Sequence, residues 1–320
     1  MAVRAAGVHR FGGPVQVLEL PASTGPRPDE VLIEVGACGV GNWDEFVRTG
    51  DWDLGKRPPM ALGVEAAGVA LAVGDQVRAV KAGDRVTAHS VPLRWQGAWA
   101  GQFTAAAAHT AVVPSAVPFD AAAALPVPAL TADQAIGDAL SVQAGETVLV
   151  HGAGGVTGGM LVQLAAYRGA TVIATARADS AGRVGALGAS TVLDYHEPDW
   201  PERVRAAAGG GVDAAANAAR AGSAEAVRAV RDGGRLATIT ADLPATAERG
   251  ITMRAVQVVP DGERLGRLVR LASTGALTVT VGERFPLERA AAALAQARHG
   301  AHGSAVVLVP AGAGLRAAGT

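Results

Sequence analysis

The chain is poor in cysteine, lysine and aromatic residues. Cys38 is the only cysteine among 320 residues, which excludes an internal disulfide and a multi-thiolate zinc lobe. A reducing, cytoplasmic setting is the expectation. Long apolar runs are missing too. No stretch of about twenty residues is free of glycine, proline and charge, as a membrane span requires. The segment MAVRAAGVHRFGG carries no long apolar core before a cleavage site, so a secretion signal is not expected. Charge of one sign is not in excess: 28 basic residues face 29 acidic ones. With no basic run, neither nucleic acid nor a membrane is an expected partner. Lysine occurs only at Lys56 and Lys81 while arginine and alanine abound, a pattern of GC-rich coding rather than of function.

What the chain has is length and apolar content. With 320 residues, 49% of them hydrophobic, it suits two domains with a large core. Up to about residue 120 the pattern is of short strands and turns, such as Val31–Val35 and Gly68–Val73, with glycine and proline every few residues. An alanine-rich stretch from Ala121 to Leu140 then reads as helix in two pieces, broken around Pro126 and Pro128. After it, strands and helices alternate: Thr147–His151, Val156–Arg168, Thr171–Thr175, Ser180–Leu187 and onward to Arg235–Thr240. Alternation of this kind builds right-handed βαβ units on a parallel sheet. The tail returns to a strand, helix, strand pattern, with Ala305–Val309 expected to rejoin the first domain. The expected fold class is α/β: a Rossmann doubly wound parallel sheet over 123–261, set into a β-rich domain formed by 1–122 and 262–320.

The first strand of the alternating series runs into His151-Gly152-Ala153-Gly154-Gly155-Val156-Thr157-Gly158 and then a helix. Glycines let a backbone turn sharply and approach a pyrophosphate, and the helix N-terminus offers free N–H groups and a positive dipole end. Gly152, Ala153, Gly154, Gly155, Val156, Thr157 and Gly158 are therefore candidate cofactor contacts. The G-x-x-G-x-x-G spacing alone is uninformative, since chance supplies about 0.7 such matches in this composition. Its position between an apolar strand and an amphipathic helix carries the reading against an ordinary glycine-rich turn.

The second strand ends at Thr175, itself a candidate cofactor contact, and continues Ala176-Arg177. NAD enzymes place an acid there to bind the ribose 2′-hydroxyl, whereas an arginine pairs with a 2′-phosphate. Arg177 thus points to NADPH, its alternative being a solvated surface arginine. Asp179 is the rival ribose ligand, although with Ser180 it reads as a helix N-cap.

The sequence resembles the quinone oxidoreductase (zeta-crystallin-like) branch of the medium-chain dehydrogenase/reductase superfamily. The resemblance rests on DEVLIEVGACGVGNWDEFVRTG, PPMALGVEAAGVALAVG, VKAGDRV, ALPVPALTADQAI, ETVLVHGAGGVTGGMLVQLA, GATVIATAR, LGASTVLDY, DGGRLATI and the tail FPLERAAAALAQARHGAHGSAVVLV, in that order over nearly the whole chain. It implies a GroES-like substrate domain, a Rossmann domain, a cleft between them and a homodimer. It also implies that Asn42, displaced by one position in Gly39-Val40-Gly41-Asn42-Trp43-Asp44, lies near the nicotinamide, as does Thr131. Tyr195 matches an aromatic residue near the adenosine phosphate. Asn217 and Thr240, at the ends of later strands, are expected to face the cofactor. Ser304 replaces the family's basic residue before the last strand. Where zinc members carry a cysteine and a histidine, this chain has Gly41 and Val64, which implies a zinc-independent protein.

Without a metal to polarise an oxygen, the easier task is hydride delivery to an electron-poor π system. The expected activity is NADPH-dependent reduction of a quinone or an α,β-unsaturated carbonyl, with Asn42 as the candidate catalytic donor and loop capping as its alternative role. An enoyl-thioester or polyketide-tailoring reductase, and a non-catalytic NADPH-binding protein, are the competing readings. Trp43, Trp52, Trp95 and Trp99 gather in the first domain, where they either line an aromatic pocket or pack the core.

Overall fold

A computed structural model describes residues 2–240, 242–244, 249–300 and 302–310. The chain divides into two compact units, Met1–Val127 with Val259–Gly275 and Val279–Thr320, and Pro128–Val258 with Ala276–Thr278. The sequence reading puts these changes at 122/123 and 261/262 and has no counterpart for the short return Ala276–Thr278. The side chain of Gln163 accounts for that return: its Oε1 accepts from the Thr278 amide (2.7 Å) and hydroxyl (3.0 Å), and its Nε2 donates to the Thr278 carbonyl at 3.0 Å. Residues 311–320 of the expected range 262–320 lie outside the described residues.

The first unit is β-rich. Its larger sheet runs in the order Val281–Pro286, Ala305–Val309, Glu30–Val40, Glu65–Val73, Arg85–His89, Thr110–Val112, with Gln102–Ala106 also paired to Glu30–Val40. Ala305–Val309 does close back on the first sheet, antiparallel to Glu30–Val40. Glu30–Val40 is buried along almost its whole length, so it reads as a continuous apolar run rather than an alternating one. Gln16–Pro21, Ala2–Val8 and Met60–Ala61 form a three-stranded sheet. Trp99 and Phe103 are fully buried, and the Trp99 indole donates to the Gly39 carbonyl at 3.1 Å. For Trp99, core packing is the use the fold makes of the ring.

The second unit is a six-stranded parallel sheet in the order Ala189–Asp194, Thr171–Ala176, Thr147–His151, Val212–Asn217, Val230–Thr238, Thr252–Ala255. The chain starts at Thr147–His151, steps outward twice, then returns to lay Val212–Asn217 on the other side. The strand order therefore reverses between Thr147–His151 and Val212–Asn217, where open α/β sheets bind ligands at their carboxyl ends. Leu149, Ile173, Val212 and Leu236 from the sheet pack with Trp200, Val204, Ala226 and Ala229 from the helices.

The alanine-rich stretch is helical in two pieces, Phe119–Ala123 and Pro126–Gln134, with the break just before Pro126, which opens the second piece. A proline in the first turn lacks only an N–H that would have had no intrahelical partner. Asp179 and Ser180 do not cap the helix after the second strand, which begins at Ala178 with Arg177 at the N-cap. The Ser180 hydroxyl donates to Asp179 instead, at 3.0 Å.

Candidate cofactor site

The glycine loop contains two kinds of glycine. Gly152 has φ +82°, and a Cβ there would stand 2.7 Å from the Ala219 amide nitrogen. A Cβ at Gly158 would fall 2.2 Å from the Gly152 carbonyl oxygen. Both are demanded by the fold's own packing, a left-handed turn and a close helix–strand approach. Gly154 and Gly155 differ. Their nearest neighbours would be 3.7 and 3.8 Å away, and neither has a positive φ. Nothing in the chain itself requires glycine at those two positions.

Gly155 is the N-cap of the helix Val156–Tyr167, with no side-chain capping bond and no acid in the first turn. The amides that begin this helix have no intrahelical acceptor, and the dipole places partial positive charge there. The loop is held from two sides. Arg183 donates to the Gly154 carbonyl at 2.7 Å. Thr175, fully buried, lies 2.6 Å from His151 Nδ1 and accepts from the Gly152 amide at 3.2 Å. His151 stacks on Trp200 with centroids 4.6 Å apart. Burial lowers its pKa to about 4, so the ring is neutral at pH 7. Thr175 acts on the loop through its hydroxyl rather than from the open side.

At the end of the second strand Arg177 is exposed. Asp194, at the end of the neighbouring strand, accepts from the His196 amide (3.0 Å) and lies 2.7 Å from His196 Nδ1. These bonds, with smaller contributions from the charges of His196 and Arg177, lower its pKa. Tyr195 is partly exposed and stands edge-on to His151, with centroids 6.4 Å apart.

On the other side of the switch point the polar residues form one cluster. Asn217 is fully buried, and its Nδ2 lies within 3.1 Å of the Ser223, Thr238 and Thr240 hydroxyls. Its Oδ1 accepts from the Ala219 amide at 3.0 Å. Asn217 and Thr240, both expected from the sequence, thus come together with three residues it did not single out: Ser223, Thr238 and Asp242. Asp242 follows four residues after the end of a parallel strand at the sheet's ligand-binding edge, and that position is the signal that would have found it. Thr131 is buried in the helix Pro126–Gln134.

Asn42 belongs to the β-rich unit. It is the exposed N-cap of the helix Trp43–Thr49, and its side chain makes no capping bond. The turn is closed by Asp44, whose Oδ2 accepts from the Gly41 amide at 2.9 Å. Among the described residues no group of three or more His, Cys, Asp and Glu side chains is arranged to hold a metal ion, and no helix is long and apolar enough to cross a membrane.

Residues 27–117 match the family model for the alcohol dehydrogenase GroES-like domain and residues 187–308 that for zinc-binding dehydrogenase. A quinone oxidoreductase of Lama guanicoe is 31% identical over 96% of this chain and 98% of its own length. This chain belongs to the medium-chain dehydrogenase/reductase superfamily, in its quinone oxidoreductase branch. A Rattus norvegicus member of the branch is 35% identical, over 66% of this chain and 64% of the relative. Among solved structures, an NAD-dependent alcohol dehydrogenase has TM-score 0.87 at 30% identity, covering 96% of this chain and 99% of the other. A mycobacterial protein complexed with NADPH has TM-score 0.83 at 30% identity, covering 96% and 100%. As a member of this superfamily the chain is an oxidoreductase, with a GroES-like domain and a parallel Rossmann-like sheet, in a family that binds nicotinamide cofactors.

Proposed function

We propose that this oxidoreductase uses NADPH to reduce a quinone or an α,β-unsaturated carbonyl. The observation that carries the reading is the helix N-terminus at Gly155, with no capping side chain and no acid in its first turn, fronted by two glycines that the chain's own packing does not require. A Cβ at Gly155 would occupy the space a phosphate needs to reach the amides of Val156 and Thr157. Arg177, exposed one strand away, supplies the charge for a 2′-phosphate. Gly152, Ala153 and Gly158 shape the loop, and Tyr195 borders its adenosine side.

A specific observation supports NADH as the second reading: the Asp194 carboxylate stands near enough to Arg177 to feel its charge. The solved relatives divide the same way, one described as NAD-dependent and one complexed with NADPH. Engagement of Asp194 by His196 through both the amide and the ring favours the NADPH reading.

When bound, the cofactor supplies a hydride. The chain's own part is to orient the reactants, and an acceptor whose π system carries the developing charge to its own oxygen asks for no metal. Asn42, with an exposed amide not used for capping, is the proposed donor to that oxygen. The test is NADPH oxidation, followed by absorbance, with a quinone, an enone and an enoyl thioester in parallel. Turnover with the quinone or enone at rates above the thioester supports the reading. NADPH binding without turnover on any of the three contradicts it.

A further inference from the structure

Asp242 is the one carboxylate in the polar cluster at the switch point, and its surroundings are unusual. Its Oδ1 accepts from three hydroxyls: Ser223 at 2.6 Å, Thr238 at 2.6 Å and Thr240 at 2.8 Å. Its Oδ2 accepts from the Ser223 amide at 3.1 Å. Burial alone would raise the carboxyl pKa, yet these bonds hold it down, at about 2. Every one of those donors is neutral, and among the described residues no lysine or arginine forms an ion pair with it. The cluster therefore fixes an ionised carboxylate in place while leaving its charge uncompensated. His151, on the strand end where the glycine loop begins, feels the charges of Glu225 and, after it, of Asp242.

The sheet order says what part of a dinucleotide would meet it. The pyrophosphate belongs at the start of the helix Val156–Tyr167, and the adenosine ribose at the end of Thr171–Ala176. The other half must then extend over the strands on the opposite side of Thr147–His151, which are Val212–Asn217 and Val230–Thr238. Asn217, Thr238 and Asp242 stand at their carboxyl ends. Nicotinamide riboside offers hydrogen-bond donors through its ribose hydroxyls and its carboxamide. Its ring is cationic when oxidised and neutral when reduced.

We propose that Asp242 is a specificity-determining residue for the nicotinamide half of the cofactor, accepting a hydrogen bond from the riboside and favouring the oxidised ring through its fixed negative charge. The proposal rests on the dinucleotide reading of the glycine loop and adds a redox preference to it. By holding the oxidised cofactor more firmly than the reduced one, the carboxylate makes the bound cofactor a better hydride donor. Ser223, Thr238 and Thr240 position the carboxylate. A purely structural role, such as tying the turn Gly222–Ser223 to the end of the next strand, would produce no dependence on the redox state of a ligand.

The test is titration of the intact protein and of Asp242→Asn with NADP+, NADPH and 2′-phospho-ADP, which has the adenosine half with its pyrophosphate and lacks both the second ribose and the nicotinamide. The wild type is expected to bind NADP+ at least as tightly as NADPH. Asp242→Asn should weaken NADP+ by about tenfold more than NADPH, because it removes a charge that attracts the cationic ring and not the neutral one. It should leave 2′-phospho-ADP unchanged. Equal weakening of all three ligands, or no change in any, overturns the proposal. So does a wild-type preference for NADPH over NADP+ of more than about tenfold, a result that needs no variant to fold. If the wild type binds none of the three, the dinucleotide reading itself has failed.

Discussion

Asp44 has no exposed surface and, among the described residues, no cationic partner, and burial pushes its carboxyl up to about 7 from an ordinary 3.8. Glu65, equally buried, is raised as well, by burial first and by the charge of Asp44 after it, although the Val127 amide donates to it at 2.7 Å. A carboxyl whose folded pKa lies above its unfolded value favours the fold while protonated, and that advantage is lost as pH climbs between the two values. The contribution of Asp44 to stability should therefore fall between about pH 4 and about pH 7, by a few kcal/mol at about 1.4 kcal/mol per pKa unit, against the opposite trend of the buried neutral His89 and His151, so it is read as the difference between the wild type and a variant at this position. Asp44→Asn keeps an acceptor for the Gly41 amide and cannot ionise. Its thermal midpoint should fall less over the same window, measured by circular dichroism. Parallel curves for the two proteins would show that Asp44 is ionised in the fold at little cost. None of this was legible in the sequence, where Asp44 appears only as a neighbour of Asn42. Asp242 escaped notice because its partners are scattered over twenty residues.

At the scale of elements the alternating strands and helices of the second unit were legible because apolar strands such as Thr147–His151 and Val212–Asn217 alternate with segments of helical spacing. The edge strand Thr252–Ala255 was not, because it is four residues long, mostly exposed and without alternation. The break at the prolines 126 and 128 was legible because a helix tolerates proline in its first turn and not in its interior. The junction of Thr147–His151 with Val156–Tyr167 is where an element-scale prediction is sharpest. Gly158→Ala would force a methyl against the Gly152 carbonyl and, at about 1–3 kcal/mol for such overpacking, lower the melting temperature by several degrees. Gly155→Ala meets nothing closer than 3.8 Å, so its melting temperature should stay nearer the wild type while NADPH affinity drops at least tenfold or so. Wild-type NADPH affinity in Gly155→Ala would remove the reason given for a glycine there.

At the scale of the molecule, a near-balanced charge and a single cysteine left an oxidoreductase as the expectation, and the relatives support an oxidoreductase. The order of the motifs along the chain was enough to place it in its superfamily. The division into units was legible to within a few residues, apart from Ala276–Thr278, whose placement depends on one glutamine. The choice between the two nicotinamide cofactors comes down to a single arginine with an acid nearby, and there the family offers relatives of both kinds. The account rests on a loop that receives a 2′-phosphorylated dinucleotide. The most direct measurement is calorimetric titration of the wild type and Arg177→Ala with NADPH and NADH. Wild type should bind NADPH at least about tenfold more tightly, in line with roughly 1.5–3 kcal/mol for a charge-assisted bond, and Arg177→Ala should erase most of that difference while changing NADH little. Wild-type protein that binds NADH as tightly as NADPH, or neither of them, would contradict it.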